Sequence, residues 1–188
     1  MSPLIINSHT EKELIQFCIK GDRKSQKQLF EVYGPKMMSV CLRYAKNKNE
    51  AEDIFQEGFI RVFRHIENFS FEGSFEGWIR RIMINTALKY NSKKSLGWNL
   101  NTLDDIIQQF DKSEPDVVSM LTEEELLSYI SRLPHGYRMV FNLFVIEGYS
   151  HKEIGDMMNI EESTSRSQLV KARKMLQYNL RGILKMVI

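Results

Sequence analysis

The sequence predicts an all-α protein, two small helical domains joined by a flexible acidic linker. Three observations carry that expectation. Apolar residues recur at helical spacing along the chain, and nothing in the N-terminal half alternates with period two as a half-buried strand would. The 188 residues are 43% hydrophobic and 27% charged, an ordinary globular composition, and a length prior of about 100–200 residues per domain allows one domain or two small ones. The third observation is the order of charges. Gly77 to Leu103 holds no Asp or Glu but carries Arg80, Arg81, Lys89, Lys93 and Lys94. Leu96 to Ile130 sets Asp104, Asp105, Asp111, Glu114, Asp116, Glu123, Glu124 and Glu125 against Lys112 alone. Two basic blocks around an acidic one suit two nucleic-acid surfaces on a non-binding spacer, although the net charge is only +2. The expected limits are residues 10–94 for the first domain, 95–120 for the linker and 121–184 for the second domain.

In chain order, Thr10 with Glu13 forms a capping-box pattern opening a helix that carries Leu14, Ile15, Phe17, Cys18 and Ile19 and stops at Gly21-Asp22. A second helix is expected from about Ser25. Gly34-Pro35 marks a break or kink in it, after which Met37, Met38, Val40, Cys41, Leu42 and Tyr44 continue the pattern. Asn47 to Asn49 reads as a turn. Glu50 to Ile66 is strongly periodic, through Ala51, Ile54, Phe55, Gly58, Phe59, Val62 and Phe63. Asn68 to Gly77 reads as a loop dense in Phe and Gly, with helix resuming at Trp78 toward Leu88 and Tyr90. Residues 95–120 are acidic and broken by Pro115, with weak amphipathic character from Leu103 to Phe110. Glu123 to Leu133 begins the second domain, Pro134-His135-Gly136 turns the chain, and Tyr137 to Glu147 is the next apolar helix.

Tyr149 to Gln177 is the stretch the rest serves. Ser150 and Glu153 form a second capping-box pattern, followed by Ile154, Met157 and Met158 at helical spacing. Asn159 and Ile160 interrupt the run, and Glu162, Ser163 and Thr164 offer side-chain oxygens where another helix can start. In that helix Ser165, Leu169, Ala172 and Leu176 make a narrow inner stripe, with Arg166, Ser167, Lys171 and Lys174 facing elsewhere. On pattern alone, a DNA-reading helix-turn-helix and an ordinary helical hairpin with a solvated basic face fit equally well. Charge tips the balance. Ser163 to Ile188 contains no acid against Arg166, Lys171, Arg173, Lys174, Arg181 and Lys185, whereas a solvated helix mixes signs to gain i,i+4 pairs.

No catalytic constellation is present. GxxxxGK[ST], GxGxxG, GxSxG and HExxH are all missing, and His9, His65, His135 and His151 are scattered. The chain therefore reads as a non-enzyme with no cofactor and no metal site. Asp53 and Glu57, at i,i+4 with Gln56 beside them, fit a solvated face or a protein-docking patch better than a metal site. Cys18 and Cys41 lie outside any metal-ligand spacing, in amphipathic runs where a buried free thiol is the default. The N-terminus lacks a secretion signal, and no apolar run approaches the roughly 20 residues of a membrane span, so a soluble cytoplasmic protein is expected. The rings from Phe69 to Trp78 leave two readings open about evenly: core packing, or stacking of unpaired bases beside the basic block at Arg80, Arg81 and Lys89.

Three segments together carry a resemblance. EAEDIFQEGFIRVF, then FEGWIRRIMINTALKY, then an acidic stretch and SHKEIGDMMNIEESTSRSQLVKARKML resemble the sigma-70 family of RNA polymerase sigma factors, in its compact extracytoplasmic-function group, over about Glu13 to Leu180. Asp53–Phe59 is similar to region 2.2, Trp78–Asn85 to regions 2.3 and 2.4, and the last segment to region 4.2. The resemblance implies a region 2 bundle, a region 4 helix-turn-helix, and a dissociable promoter-specificity subunit of core RNA polymerase. It implies that Asp53, Gln56, Glu57 and Phe59 dock on the polymerase clamp helices. Trp78, Arg80, Arg81, Asn85, Thr86 and Lys89 would capture the melted minus-10 single strand, with Asn85 reading a flipped base through its amide. Arg166, Ser167, Gln168, Lys171 and Arg173 would read the minus-35 duplex, Arg166 on a guanine and Lys171 and Arg173 on phosphates. An anti-sigma factor is the implied inhibitor. Gln168 and Lys171 stand where many family members carry Arg, so the minus-35 sequence is not transferable from a relative. Residues 95–120 would follow the exit channel, their acidity resembling a nucleic-acid mimic, and deleting Asp104–Asp116 without loss of initiation would reject that role. A stand-alone helix-turn-helix regulator is the alternative.

Overall fold

The structure is a computed structural model that describes residues 8–94 and 123–187. Those residues form two compact units that divide near Tyr90, and among them there is no strand. The acidic segment at 95–120, with its exit-channel and nucleic-acid-mimic expectations, lies outside the described residues.

The first unit holds four helices: α1 (Ser8–Ile19), α2 (Arg23–Tyr44), α3 (Lys48–His65, followed by a 3-10 turn at Ile66–Asn68) and α4 (Phe75–Lys94). α1 begins at Ser8, so Thr10 lies inside its first turn rather than capping it. Its end matches expectation, with Gly21 in the left-handed region at φ +81° where glycine is unstrained. Asp22 then caps α2, its carboxylate accepting the Ser25 amide at 2.8 Å. Gly34-Pro35 does not break this helix, which runs unbroken to Tyr44. Leu29 and Tyr33 before the proline and Met37, Val40 and Cys41 after it are all buried, so packing on both sides outweighs the one lost backbone bond. Asn47 caps α3 by accepting the Glu50 amide at 2.9 Å. α4 starts three residues before Trp78 because Ser74 takes the cap, its hydroxyl accepting the Gly77 amide at 3.2 Å. The core is filled by Leu29, Met37, Ile54, Val62, Ile79, Met83 and Ile84. α3 and α4 pack so closely that a Cβ at Gly58 would lie 2.2 Å from the Met83 sulfur.

The second unit holds α5 (Glu123–Ser131), α6 (His135–Phe141, continued by a π turn at Asn142–Ile146), α7 (His151–Met158) and α8 (Glu162–Val187). Ile130, Leu133 and Tyr137 pack on Ala172 and Leu176 of α8. Arg138 is buried and donates from Nη1 to the Ser131 carbonyl at 2.7 Å, tying α6 to the end of α5. The π turn was not expected from sequence. Two residues after it, Gly148, at a φ of +79°, turns the chain into the cap of α7.

Candidate nucleic-acid interface

The turn between α7 and α8 is built by local chemistry. Ser150 and Glu153 form the reciprocal capping box: the Ser150 amide donates to the Glu153 carboxylate at 2.8 Å, and the Glu153 amide donates to the Ser150 hydroxyl at 3.3 Å. α7 ends at Asn159 in the left-handed conformation (φ 53°, ψ 51°), a conformation Asn tolerates better than most residues. The Ile160 amide donates to the Gly155 carbonyl at 3.0 Å. A Cβ at Gly155 would stand 2.8 Å from the Ile160 carbonyl oxygen, so the turn rests directly on the α7 backbone. His151 fixes the entry to α8. Its Nδ1 lies 2.9 Å from the Ser165 hydroxyl, and its ring stacks on Phe144 with centroids 4.4 Å apart. Desolvation, followed by the Arg166 charge, holds the imidazole below its ordinary pKa.

With α8 so placed, its two faces separate cleanly. Ser165, Gln168, Leu169, Ala172 and Leu176 point inward, and Arg166, Ser167, Val170, Arg173 and Gln177 point outward. Arg166 pairs with Glu162 one turn earlier, and the Arg173 guanidinium sits 6.0 Å above the Phe144 ring. Lys171 is half-buried at the edge of this face. Gln168 departs from its expected role in reading duplex DNA. It is 7% exposed, with its amide held against Gly136 of α6. At 100° per residue it lies about 160° from Arg166 around the helix. Val170, 53% exposed and between Arg166 and Arg173, was missed by sequence reasoning. Its spacing, i+4 from Arg166 and i−3 from Arg173, would have located it.

In the first unit, Arg81, Asn85 and Lys89 form an exposed stripe on α4, with half-buried Trp78 at its start. Trp78 stacks on Phe75 at 5.6 Å and 13°, and packs on Phe69 at 5.7 Å. Phe69 and Phe75 are buried, so these two rings are core. Two expected strand contacts lie elsewhere. Thr86 is buried, with its hydroxyl donating to the Ile82 carbonyl at 2.7 Å, and Arg80 falls roughly 140° around the helix from Asn85.

Asp53, Gln56 and Glu57 share an exposed face of α3. Asp53 accepts from the Tyr90 hydroxyl of α4 at 2.9 Å, and Glu57 pairs with Arg61 at 2.7 Å. Phe59 does not share that face. It is 3% exposed and lies among the Phe30, Phe55 and Phe63 rings, about 100° away around the helix. Ile60 is the apolar residue on this face, 53% exposed and one turn beyond Gln56. No helix among the described residues is long and apolar enough to cross a membrane.

Comparison with known proteins shows the family of the chain. Residues 29–96 match the family model of Sigma-70 region 2, and residues 123–176 that of Sigma-70, region 4. The chain is 30% identical over 182 residues to the ECF RNA polymerase sigma factor SigW of Bacillus subtilis, covering 92% of this chain and 97% of that protein. It is 27% identical over 185 residues to the ECF RNA polymerase sigma-E factor of Haemophilus influenzae, covering 93% and 97%. Among solved structures, the sigma factor RpoE of Bartonella quintana, in complex with the anti-sigma factor NepR, shares the fold with a TM-score of 0.52 at 18% identity. That match covers 82% of this chain and 96% of the other.

Proposed function

The chain belongs to the extracytoplasmic-function group of the sigma-70 family of RNA polymerase sigma factors, and on that premise we propose how its two units divide the work. The outward stripe of α8 reads the minus-35 duplex. Arg166 reaches a guanine edge, Val170 offers its methyls to a neighbouring thymine, and Lys171 and Arg173 neutralise phosphates. The stripe of α4 holds the melted minus-10 strand, with Arg81 and Lys89 on the backbone and Asn85 on an extruded base. The face of Asp53, Gln56, Glu57 and Ile60 docks on core polymerase, acidic residues around one apolar anchor.

The observation that carries this reading is that α4 and α8 each present an outward stripe with cations on a chain segment free of Asp and Glu. No bond is made or broken by the protein itself. It works by binding and strand opening in the cytoplasm, and the polymerase performs the chemistry. An anti-sigma factor holds it inactive by covering both units; the sigma factor of Bartonella quintana that shares its fold is itself in complex with an anti-sigma factor.

Mixing the purified chain with core polymerase tests the reading. It should co-purify with the core and drive RNA synthesis from a subset of a randomised promoter library. Duplex binding without any core association would instead identify a stand-alone helix-turn-helix regulator.

A further inference from the structure

Arg166 and Arg173 are both exposed on the outer stripe of α8, and the fold holds them by different means. Arg166 has a carboxylate one turn back, Glu162. Arg173 has no acid within a turn: the residues three and four away on α8 are Leu169, Val170, Leu176 and Gln177. Its guanidinium lies instead over the Phe144 ring, 6.0 Å from the centroid.

Phe144 does not belong to α8. It is the middle residue of the π turn at Asn142–Ile146, a backbone form that is rare and often found at functional sites. The ring is half-buried and braced from α7. The His151 imidazole stacks on it with centroids 4.4 Å apart and planes 20° apart, and His151 Nδ1 lies 2.9 Å from the buried Ser165 hydroxyl of α8. The chain of contacts Ser165–His151–Phe144–Arg173 thus leaves α8 and returns to it just over two turns later.

The two supports differ in what they leave for DNA. Glu162 neutralises Arg166, and that pair must open before a base edge takes its place. An aromatic face holds a guanidinium without cancelling its charge and touches only the flat side, so the N–H groups in the plane can still donate to an anion. A side chain held this way also has less rotamer freedom to lose on binding.

We propose that Phe144 is a positioning residue for promoter binding: from the π turn, braced by His151, it aims the Arg173 guanidinium so that its edge meets a phosphate of the duplex. This rests on the phosphate role proposed for Arg173 and adds a residue outside α8 that acts through it.

A double-mutant cycle on the holoenzyme tests the proposal. The full-length chain, assembled with core polymerase, is titrated at several salt concentrations with a labelled duplex recovered from the randomised promoter library. The duplex is cut to its upstream half so that strand opening does not contribute. Phe144→Leu should weaken binding about three- to tenfold, no more than Arg173→Ala does, and should cost nothing further in an Arg173→Ala background. The dependence of log affinity on log salt should become shallower by up to about one. Phe144→Tyr keeps the ring and should bind like the parent. Pentafluorophenylalanine in place of Phe144 keeps the ring's shape but reverses the charge on its face. It should reproduce the loss of Phe144→Leu at the parental melting temperature, and it decides the matter if Phe144→Leu does not fold. Parental affinity and salt dependence in the ring variants, with Arg173→Ala weakened, overturn the positioning role and leave the phosphate reading standing. Parental affinity in Arg173→Ala overturns both. A loss from Phe144→Leu that persists undiminished in the Arg173→Ala background marks a ring acting through the fold alone, and also overturns the proposal.

Discussion

The contact between Gly58 and Met83 sets the distance between α3 and α4, and it can be tested by a pair of substitutions. In Gly58→Ala the new methyl would start 2.2 Å from the Met83 sulfur and 3.0 Å from its terminal carbon, where ordinary contact is about 3.5–4.0 Å. Met83 is fully buried, so its sulfur can move aside only by repacking inside the core. Overpacking of this kind costs roughly 1–3 kcal/mol, offset by up to about 1 kcal/mol of helix propensity gained over glycine. The net expectation is a loss of about 1–2 kcal/mol. Met83→Ala alone leaves a cavity and should cost about 2–5 kcal/mol. In the double variant the alanine methyl occupies part of that cavity. The two costs should therefore fall short of their sum by about 1–2 kcal/mol. Urea denaturation in a Trp98→Phe background measures this, because Trp78, stacked on Phe75, then reports the first unit alone. Strict additivity, or a Gly58→Ala variant as stable as the parent, would refute the close approach of α3 and α4.

Four further outcomes are expected. Asn85→Ala should retain core-polymerase binding yet open promoter DNA poorly by permanganate footprinting, and unchanged opening would remove Asn85 from strand capture. Arg166→Ala should relax preference at one upstream base pair by about 1–3 kcal/mol in a binding-site selection, whereas a uniform loss across sequences would mark a phosphate contact. The folded-state pKa of His151 lies below its ordinary 6.5, so the unfolded chain binds the proton more readily. Its contribution to stability is complete above about pH 6.5 and is lost as pH falls toward the depressed value, and His151→Gln should flatten that slope in thermal melts. Burial, with a smaller push from the Asp22 carboxylate, raises the Cys18 thiol to about 11, and burial raises Cys41 to about 12, so both should resist a thiol-specific dye at pH 8 until urea unfolds the chain.

The two-unit helical architecture was legible in the sequence because its signals are local. The Ser150–Glu153 box and the Asn159 stop each act within one turn of backbone, and Ser165, Leu169, Ala172 and Leu176 mark an inner stripe that needs no partner to be seen. The helix through Pro35 was not legible, since it survives on packing from residues distant in sequence. Ser74 was overlooked as a cap because the glycines around it suggested loop throughout.

The expected site residues that the fold buries share one cause. Phe59, Thr86 and Gln168 each belong to a motif by position along the chain, yet each is buried while the motif's other members include exposed residues. A linear motif mixes residues that touch a partner with residues that hold the helix in place to touch it. The gap between Asp53 and Glu57 is one helical turn, and the same step from Gln56 leads to Ile60 rather than Phe59. The same step from Arg166 leads to Val170 rather than Gln168. Spacing thus identifies which residues share a face, but which face the protein buries depends on the neighbouring helix. Phe30 of α2 decides it for Phe59, and Gly136 of α6, by leaving room for an amide, decides it for Gln168. Substituting Gln168 should accordingly disturb the seating of α8 on α6 and shift the melting of the second unit, where substituting Val170 should alter base preference and leave melting alone.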